Sequence, residues 1–414
     1  MIRVIVDSQS NRLFRGIAME QDYDQRGGLC QVGEGDVVIT TNPIDPDYLK
    51  YWTDLGFSLP LLLTVGPFKQ SLTLSELIAN NPNALRTIRM LVERNGGGRI
   101  EFFTIEESEK QLCKVAGISP YCNFDLSIRL SRKNNFKQVC RQILLPTPPW
   151  IDRSDGLENM LKQAEDWMSQ NIPLLIKVSD GTGGISCGGI TLIKDPELLR
   201  KVIFSYEELE LPYIIEQFIQ KKRAEVSLHW EIDRDGNIIP INLFDQLSKN
   251  CSYAGVSYPS DLEEDQKILI LEQLREKLGP YLTDQKALGF FCCDILIDQQ
   301  GVPNWVDFNP RKGAILYVWD MIRRLSEIHF GGQRPYFWHE HLEFGSPDHN
   351  FGEIFKELSD LALPNQDPFV IVTNPGVFRY GFADITGVSL EGKKPARDCF
   401  LEAKARLLEF SQRA

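Results

Sequence analysis

The chain has 414 residues, of which 43% are hydrophobic and 25% charged, and its formal net charge is −12. These values are typical of a globular protein with about two or three domains. The acidic balance argues against a general nucleic-acid-binding protein, because such affinity depends on a basic surface.

Two further classes are disfavoured by the pattern of residues. The start, MIRVIVDSQS, lacks the long apolar core of a signal peptide, and no later stretch is apolar over the roughly 20 residues that span a bilayer. The nine cysteines are scattered without a CxxC pair, which fits neither a disulfide framework nor a zinc site. We therefore expect a reduced, cytoplasmic protein that binds neither nucleic acid nor membrane.

The first part of the chain alternates strand-like and helical patterns. The runs MIRVIVD, GDVVITT, LPLLLTV and RIEFFTI predict strands, and DPDYLKYWTDLGF and NALRTIRMLVERN predict helices. Strands that alternate with helices are typical of a parallel-sheet α/β domain. We predict such a domain over residues 1–125.

A second unit is predicted from residue 126 onwards. It opens with an amphipathic helix whose apolar side comprises Phe136, Val139, Cys140, Ile143 and Leu144, and prolines end this helix. A helix over 156–170, the strand IPLLIKV and a glycine-rich segment follow. The strands TLIKD, PYIIEQFI, RAEVSLHWEID and IIPINLFD, a long helix over 261–282 and a β-hairpin over 289–310 complete this unit.

The last part of the chain combines strand and helix in an α+β arrangement. It begins irregularly with GQRPYFWHEHLEFGSPDHN, continues with the strand PFVIVTN and ends with a helix. If the segment WHEHLEF were helical, His339 and His341 would point in different directions, so we expect no zinc site there.

In the hairpin GFFCCDILIDQQGVPNWVDFNPRKGA, the acidic and amide side chains that could bind a ligand lie on one face only. Period-2 alternation places four residues on one face of the first strand, namely Phe290, Cys292, Asp294 and Leu296. The opposite face is apolar, with Phe291, Cys293, Ile295 and Ile297. On the second strand, Trp305, Asp307 and Asn309 share a face that is opposed by Val306 and Phe308.

The turn of this hairpin predicts which residues pair. With the turn centred between Gln300 and Gly301, paired residue numbers sum to 601, so that Asp294 lies opposite Asp307, on the order of 5 Å away. Two carboxylates that close repel unless a cation or a proton lies between them. Asn309 adds a neutral oxygen, and oxygen ligands suit Mg²⁺. The alternative, two solvated aspartates on an exposed face, is disfavoured by the apolar neighbours on that face.

The glycine-rich segment SDGTGGISCGG follows the strand that contains Lys177. It lacks the GxxxxGK[ST] pattern of a P-loop, and a strand rather than a helix follows it, unlike a dinucleotide-binding fingerprint. A glycine loop between strands can fold over phosphates and donate backbone N–H groups. Lys177 would then neutralise those phosphates; the alternative is an ordinary lysine at a strand edge.

The order of these features resembles the ATP-grasp superfamily of carboxylate ligases over residues 126–320. The resemblance implies an ATP-grasp fold behind a Rossmann-like pre-ATP-grasp domain (1–125). It implies a small subdomain with the glycine flap (126–215), a large subdomain with the Mg²⁺ site (216–345) and a C-terminal extension (346–414). Within the superfamily, the chain looks like the peptide ligases of pheganomycin type, and FDQLSKNCSYAGVSYPS is similar to their substrate-side loop.

The resemblance also implies roles for individual residues. The phosphate-binding residues would be Lys133, Lys177, Gly181, Gly183 and Gly184. The adenine hinge would comprise Glu216, Gln217 and Ile219, and the ribose would be bound by Glu225. The metal ligands would be Asp294, Asp307 and Asn309. Lys177 and Arg311 would be catalytic, with Arg311 at the substrate carboxylate or the acyl phosphate.

The implied activity is ATP-dependent carboxylate–amine ligation through an acyl phosphate, with ATP and Mg²⁺ as cofactors and Mn²⁺ as a substitute. Small-molecule carboxylate and amine substrates, such as an amino acid or a small peptide, are expected, and a homodimer is compatible with the resemblance. The alternatives are a carboxylate–thiol ligase that loads a carrier protein and a non-catalytic ATP-binding module.

Two departures from the family pattern weaken individual roles. Both metal acids are Asp, where Glu is common at least at the second position, and QKKR lengthens the link from Glu216 to Glu225.

Overall fold

The computed structural model describes residues 1–8, 23–66, 72–179, 189–249, 251–345, 348–362 and 364–413. The first elements alternate between strand and helix: β1 (Ile2–Val6), α1 (Gly28–Gln31), β2 (Val37–Thr40), α2 (Pro46–Asp54), β3 (Leu61–Thr64), α3 (Leu74–Ala79), α4 (Pro82–Arg94), β4 (Gly98–Phe102), α5 (Glu107–Ala116) and β5 (Ser119–Pro120). The predicted glycine flap, with Gly181, Gly183 and Gly184, lies outside the described residues.

The middle of the chain is richer in antiparallel strands. Its elements are α6 (Phe124–Leu130), α7 (Lys133–Gln142), β6 (Trp150–Asp152), α8 (Leu157–Ser169), β7 (Leu174–Val178), β8 (Ile190–Ile193), α9 (Pro196–Glu208), β9 (Tyr213–Gln217), β10 (Lys222–Ile232), β11 (Ile238–Lys249), β12 (Ser252–Tyr258), α10 (Glu264–Gln273), α11 (Gly279–Asp284), β13 (Gly289–Asp298) and β14 (Pro303–Asn309). Most of the segment predicted as a substrate-side loop is therefore strand, in β11 and β12.

The C-terminal elements are α12 (Ala314–His329), β15 (Tyr336–Glu343), α13 (Phe351–Leu358), β16 (Phe369–Thr373), β17 (Phe382–Ser389) and α14 (Lys393–Arg413). Among the described residues, no helix combines the length and the apolar character that crossing a membrane requires.

The chain divides into two compact units. The first comprises Met1–Tyr121, Ala254–Pro259 and Lys312–Ala414, and the second comprises Cys122–Tyr253 and Ser260–Arg311. In the first unit, a five-stranded sheet has the order β3-β2-β1-β4-β5, and its neighbouring strands are parallel. This arrangement confirms the predicted parallel-sheet α/β fold class, and the central strand β1 is buried on both faces, as parallel strands usually are.

The first unit also contains the strand β15, which contradicts the irregular segment predicted there. β15 pairs antiparallel with β17, and alternate residues of a strand share a face, so that His339 and His341 point the same way rather than apart. Nδ1 of His339 lies 2.9 Å from Thr386 Oγ1, and Nδ1 of His341 lies 2.6 Å from Asp384 Oδ1. The pattern YFWHEHLE alternates only weakly, because these buried partners replace apolar packing.

In the second unit, one antiparallel sheet has the order β6-β9-β7-β8, and the strands β14, β13, β10 and β11 are hydrogen-bonded in that order. Helix α7 packs Phe136 against Phe308 of β14, with ring centroids 4.9 Å apart. Leu144 does not belong to the apolar side of this helix: it is 78% exposed, with φ of 54°. The helix ends before it, and the left-handed residue turns the chain so that Leu145 enters the core instead.

The β13–β14 hairpin combines the predicted register with one irregularity. Asp294 pairs with Asp307 and Cys292 pairs with Asn309, as predicted. Beyond Asp294 the register shifts by one residue, so that Ile295 pairs with Trp305. Because a one-residue shift reverses the faces of a strand, Trp305 points into the hydrophobic core and not to the side of Asp307. The predicted position of Trp305 is therefore wrong.

Candidate active site

The two paired aspartates form the acidic part of the candidate site. Ser227 of β10 pairs with Asp294 and donates its hydroxyl to Asp294 Oδ1 at 3.1 Å. Burial and repulsion from Asp307 raise the pKa of Asp294 to about 7, against the effect of this hydrogen bond. Nearby positive charge would favour the ionised form of such a carboxyl group.

Lys133, the first residue of α7, supplies a cation to this pair. Its Nζ donates to both carboxylate oxygens of Asp307, at 2.8 and 2.7 Å. Its backbone N–H donates to the carbonyl of Ser179, which ties the start of the helix to the end of β7. Burial alone would raise the pKa of Asp307, but Lys133 and Lys177 outweigh burial and hold it below its ordinary value. One acid of the pair is thus neutralised by a lysine.

Lys177 of β7 pairs with Glu216 of the neighbouring strand β9. Its Nζ contacts Glu216 Oε1, and both side chains are almost fully buried. Lys137 of α7 contacts the other oxygen, Glu216 Oε2, at 3.0 Å. Burial would lower the pKa of Lys177, but Glu216 and Asp307 raise it above its ordinary value. Lys177 therefore carries its charge beside the aspartate pair.

Glu216, the first residue of the predicted adenine hinge, lies beside Lys177 and Lys137. The carboxylate of Glu216 is held by two lysines, so its contribution to adenine binding would come from the backbone. The N–H of Gln217 donates to Pro149 O at 2.9 Å, and Ile219 lies just beyond the end of β9. Adenine binding by Gln217 and Ile219 stays a prediction.

Glu225, the predicted ribose ligand, lies on β10 close to the aspartates. Its Oε2 accepts a hydrogen bond from Ser248 Oγ at 2.7 Å and contacts Lys222 Nζ. Its negative charge contributes to the raised pKa of Asp294. Glu225 thus lies close enough to Asp294 for the two charges to interact, and its role in ribose binding stays a prediction.

Arg311 and Asn309 lie at the other end of the aspartate pair. Nη2 of Arg311 donates to Asn309 Oδ1 at 3.4 Å, and Arg311 is 9% exposed. His229 of β10 is fully buried, and burial together with Arg311 lowers its pKa to about 3, so the ring is neutral. Its Nε2 lies 3.0 Å from Ser227 Oγ, which links the ring to Asp294 through one hydroxyl.

Two residues of this site escaped the sequence analysis. Lys137 follows Lys133 by four residues, which places both on one side of a helix, and this spacing was the available signal. His229 follows Ser227 by two residues on a strand, so the two share a face. Neither spacing indicates burial, which is the property that makes these side chains informative.

The oxygen donors of the site fit a hard divalent cation. Asp294, Asp307 and Asn309 offer carboxylate and amide oxygens, as Mg²⁺ prefers. Burial, Asp307 and Glu225 raise the pKa of Asp294 although Lys133 acts in the opposite direction, so a cation at the pair would favour the ionised form. In the described ranges, no group of three or more His, Cys, Asp or Glu side chains is arranged to hold a metal ion. The set consists of two acids and an amide, which would leave positions for phosphate oxygens and water.

Comparison with known proteins identifies the fold. Residues 28–118 match the family model of the pre ATP-grasp domain. The N5-carboxyaminoimidazole synthetase from Staphylococcus aureus, complexed with ADP, superposes with a TM-score of 0.59 at 14% identity, over 97% of this chain and 96% of that one. Biotin carboxylase from Campylobacter jejuni, in a β-γ-ATP complex, gives a TM-score of 0.58 at 14% identity, over 94% and 87%. The chain has the ATP-grasp fold. The predicted fold class is thereby confirmed.

A curated relative of this chain is the L-propargylglycine–L-glutamate ligase of Streptantibioticus cattleyicolor. The two are 23% identical over 314 residues, which cover 69% of this chain and 64% of the ligase. The chain thus spans slightly less than two thirds of that ligase's length.

Proposed function

We propose that the chain is an ATP-dependent carboxylate–amine ligase that acts on an amino acid or a small peptide. The observation that carries the proposal is the half-buried aspartate pair Asp294–Asp307 with Lys133 and Lys177 beside it. The similarity of the chain to the L-propargylglycine–L-glutamate ligase supports the substrate class. The four segments named above, 1–125, 126–215, 216–345 and 346–414, are kept as the proposed domains.

In the proposed reaction, a carboxylate oxygen attacks the γ-phosphorus of ATP, and ADP leaves. An amine then attacks the carbonyl carbon of the acyl phosphate, inorganic phosphate leaves, and the amine loses a proton. Negative charge accumulates on the phosphate oxygens during the transfer, and Lys133 and Lys177 would offset it. Mg²⁺, held by Asp294, Asp307 and Asn309 and replaceable by Mn²⁺, would add positive charge at the same oxygens.

Arg311 is proposed to bind the carboxylate substrate. Its guanidinium lies at the end of the aspartate pair and is oriented by the side chain of Asn309. A guanidinium binds a carboxylate through two parallel hydrogen bonds, which would orient one oxygen for attack. The flap residues Gly181, Gly183 and Gly184 are proposed to cover the phosphates, since an acyl phosphate is hydrolysed when water enters.

The test is ADP release by the full chain with ATP, Mg²⁺ and pairs of L-amino acids. We expect stimulated ADP and phosphate formation with at least one pair, and a dipeptide in the mass spectrum. Transfer of heavy oxygen from a labelled carboxylate to inorganic phosphate would identify the acyl phosphate. Formation of AMP and pyrophosphate instead would contradict the proposed chemistry.

The variant that tests the metal site is Asp307→Asn, which keeps the size of the side chain and removes its charge. We expect it to abolish ADP formation with the folded state intact, and full turnover with normal Mg²⁺ dependence would remove Asp307 from the metal site. Nucleotide binding without turnover for any pair would favour a non-catalytic module. Turnover that requires a carrier-protein thiol would favour the thiol ligase. A homodimer is part of the proposal, and the molecular mass in solution tests it.

A further inference from the structure

Lys137 is a buried lysine for which the proposed reaction has no step. It lies one helical turn after Lys133 on α7, and its side chain is fully buried, whereas Lys133 retains 8% exposure. Burying an ammonium group costs several kcal/mol unless it is paired and hydrogen-bonded. A lysine that serves only packing would be replaced by an apolar side chain at lower cost. The role of Lys137 can therefore be inferred from the residues that its ammonium group contacts.

The ammonium group of Lys137 has three partners within the protein, two hydrogen-bond acceptors and one ion-pair partner. Its Nζ donates to Thr147 Oγ1 at 2.5 Å and to the carbonyl of Trp305 at 3.4 Å, and it forms the ion pair with Glu216 Oε2 at 3.0 Å. An ammonium group has three hydrogen-bond donors. These contacts direct the ammonium group of Lys137 toward protein atoms, so the side chain is not arranged to bind a phosphate.

The partner that matters is Glu216. One of its oxygens contacts Lys177 and the other contacts Lys137, so the carboxylate lies between two buried lysines. Burial would raise the pKa of Glu216, but Lys137 and then Lys177 lower it. Burial lowers the pKa of Lys137, and Glu216 acts against this effect. With both lysines protonated, the three side chains together carry one net positive charge. Without Lys137, Glu216 would cancel the charge of Lys177 and would have one oxygen without a cation.

We propose that Lys137 is a positioning residue that holds and neutralises Glu216, so that Glu216 can orient Lys177 without cancelling its charge toward the nucleotide phosphates. The inference rests on the proposed nucleotide site. Two features follow from it: Lys137 acts on the nucleotide only through Lys177, and its loss weakens binding to phosphates more than binding to the nucleoside.

The experiment is a double-mutant cycle on the affinity for Mg²⁺–ADP, measured by calorimetry with the full chain. Lys137→Met keeps the aliphatic stem, and we expect it to weaken ADP binding roughly tenfold, which corresponds to about 1.4 kcal/mol. In a Lys177→Met background the same change should have little effect, because the residue through which it acts is gone. Adenosine affinity should stay within about twofold in all variants.

The control is Lys277→Met. Lys277 Nζ donates to the carbonyl of Leu144 at 2.8 Å, close to the end of α7. The substitution therefore removes a lysine that contacts the same helix end but none of Glu216, Asp294 and Asp307. We expect unchanged ADP affinity. Should Lys137→Met fail to fold, Thr147→Val removes one acceptor of Lys137 without removing charge and should weaken ADP binding in the same direction, by roughly threefold.

The outcomes separate the inference from the proposed function. A wild-type chain that does not bind Mg²⁺–ADP contradicts the nucleotide site itself. Normal binding by Lys137→Met overturns the positioning role alone. Equal losses from Lys137→Met in the wild-type and Lys177→Met backgrounds also overturn it, because they would show that Lys137 acts independently of Lys177.

Discussion

Replacement of Lys133 by Met should have opposite effects on two ligands. In the structure, one Nζ donates to both oxygens of Asp307, which is a proposed ligand of the divalent ion. A metal ion that binds in the absence of nucleotide must therefore displace this lysine. We expect Lys133→Met to strengthen binding of the bare ion and to weaken binding of ATP, because the lysine is also a proposed phosphate ligand.

The contacts of Lys133 allow the size of the effect to be worked out. A hydrogen bond between charged groups contributes about 1.5–3 kcal/mol. The side chains of Lys133 and Asp307 are 8% and 19% exposed, so solvent screens the pair only in part. Taking the lower end of that range, the affinity for the bare ion should rise roughly tenfold. Removal of the lysine also raises the proton affinity of the aspartates, so the measurement belongs at about pH 8.

The assay follows free Mn²⁺ by electron paramagnetic resonance in the absence of nucleotide, with wild type, Lys133→Met and Lys277→Met. Lys277→Met removes the same charge without touching the aspartates and should leave Mn²⁺ affinity unchanged. If Lys133→Met binds Mn²⁺ no better than wild type while its folded state is intact, Asp307 is not a ligand of the ion. The reasoning from the ion pair would then be refuted.

Two further predictions concern stability. His339 has its pKa lowered to about 4, chiefly by burial, so its contribution to stability is present above the ordinary pKa of about 6.5 and is lost as the pH falls toward 4. Between pH 7 and about 4.5 this amounts to about 2 kcal/mol, and urea unfolding of His339→Gln should show a pH dependence that is weaker by that amount. Trp305→Phe should cost about 1–3 kcal/mol in urea unfolding, because Trp305 Nε1 donates to Gln273 Oε1 at 2.7 Å and the oxygen would be left without this donor; a loss below about 0.5 kcal/mol would indicate an exposed tryptophan.

The hairpin shows how far a local pattern reaches. The pairing of Asp294 with Asp307 followed from the turn and from period-2 alternation, which are properties of adjacent residues. The shift beyond Asp294 did not, because it depends on a partner outside the hairpin. Trp305 gains both a place in the core and a hydrogen bond to Gln273, more than 30 positions earlier in the chain, when the register moves by one residue. Alternation within one strand contains no information on such a partner.

The ion pairs of the site were less accessible to sequence reasoning. Glu216 could be read as a solvated acid or as an adenine ligand, because its two cationic partners come from α7 and β7, 79 and 39 residues earlier. The residue types predicted that Lys133, Lys177 and the acids belong to one site, but not which acid each lysine contacts. His339 and His341 illustrate the same limit, because the partners of their Nδ1 atoms, Thr386 and Asp384, lie on β17.

The ion pairs of the site differ in what a ligand does to them. The pair Lys133–Asp307 is partly exposed and would be exchanged for two new partners, a phosphate for the lysine and a metal ion for the aspartate. The group Lys137–Glu216–Lys177 is almost completely buried, and an exchange there would leave a buried charge without a partner. The first pair should therefore couple metal binding to nucleotide binding, whereas the second should keep one geometry throughout the reaction. This difference explains why Lys133→Met is expected to improve one affinity, while Lys137→Met can only reduce one.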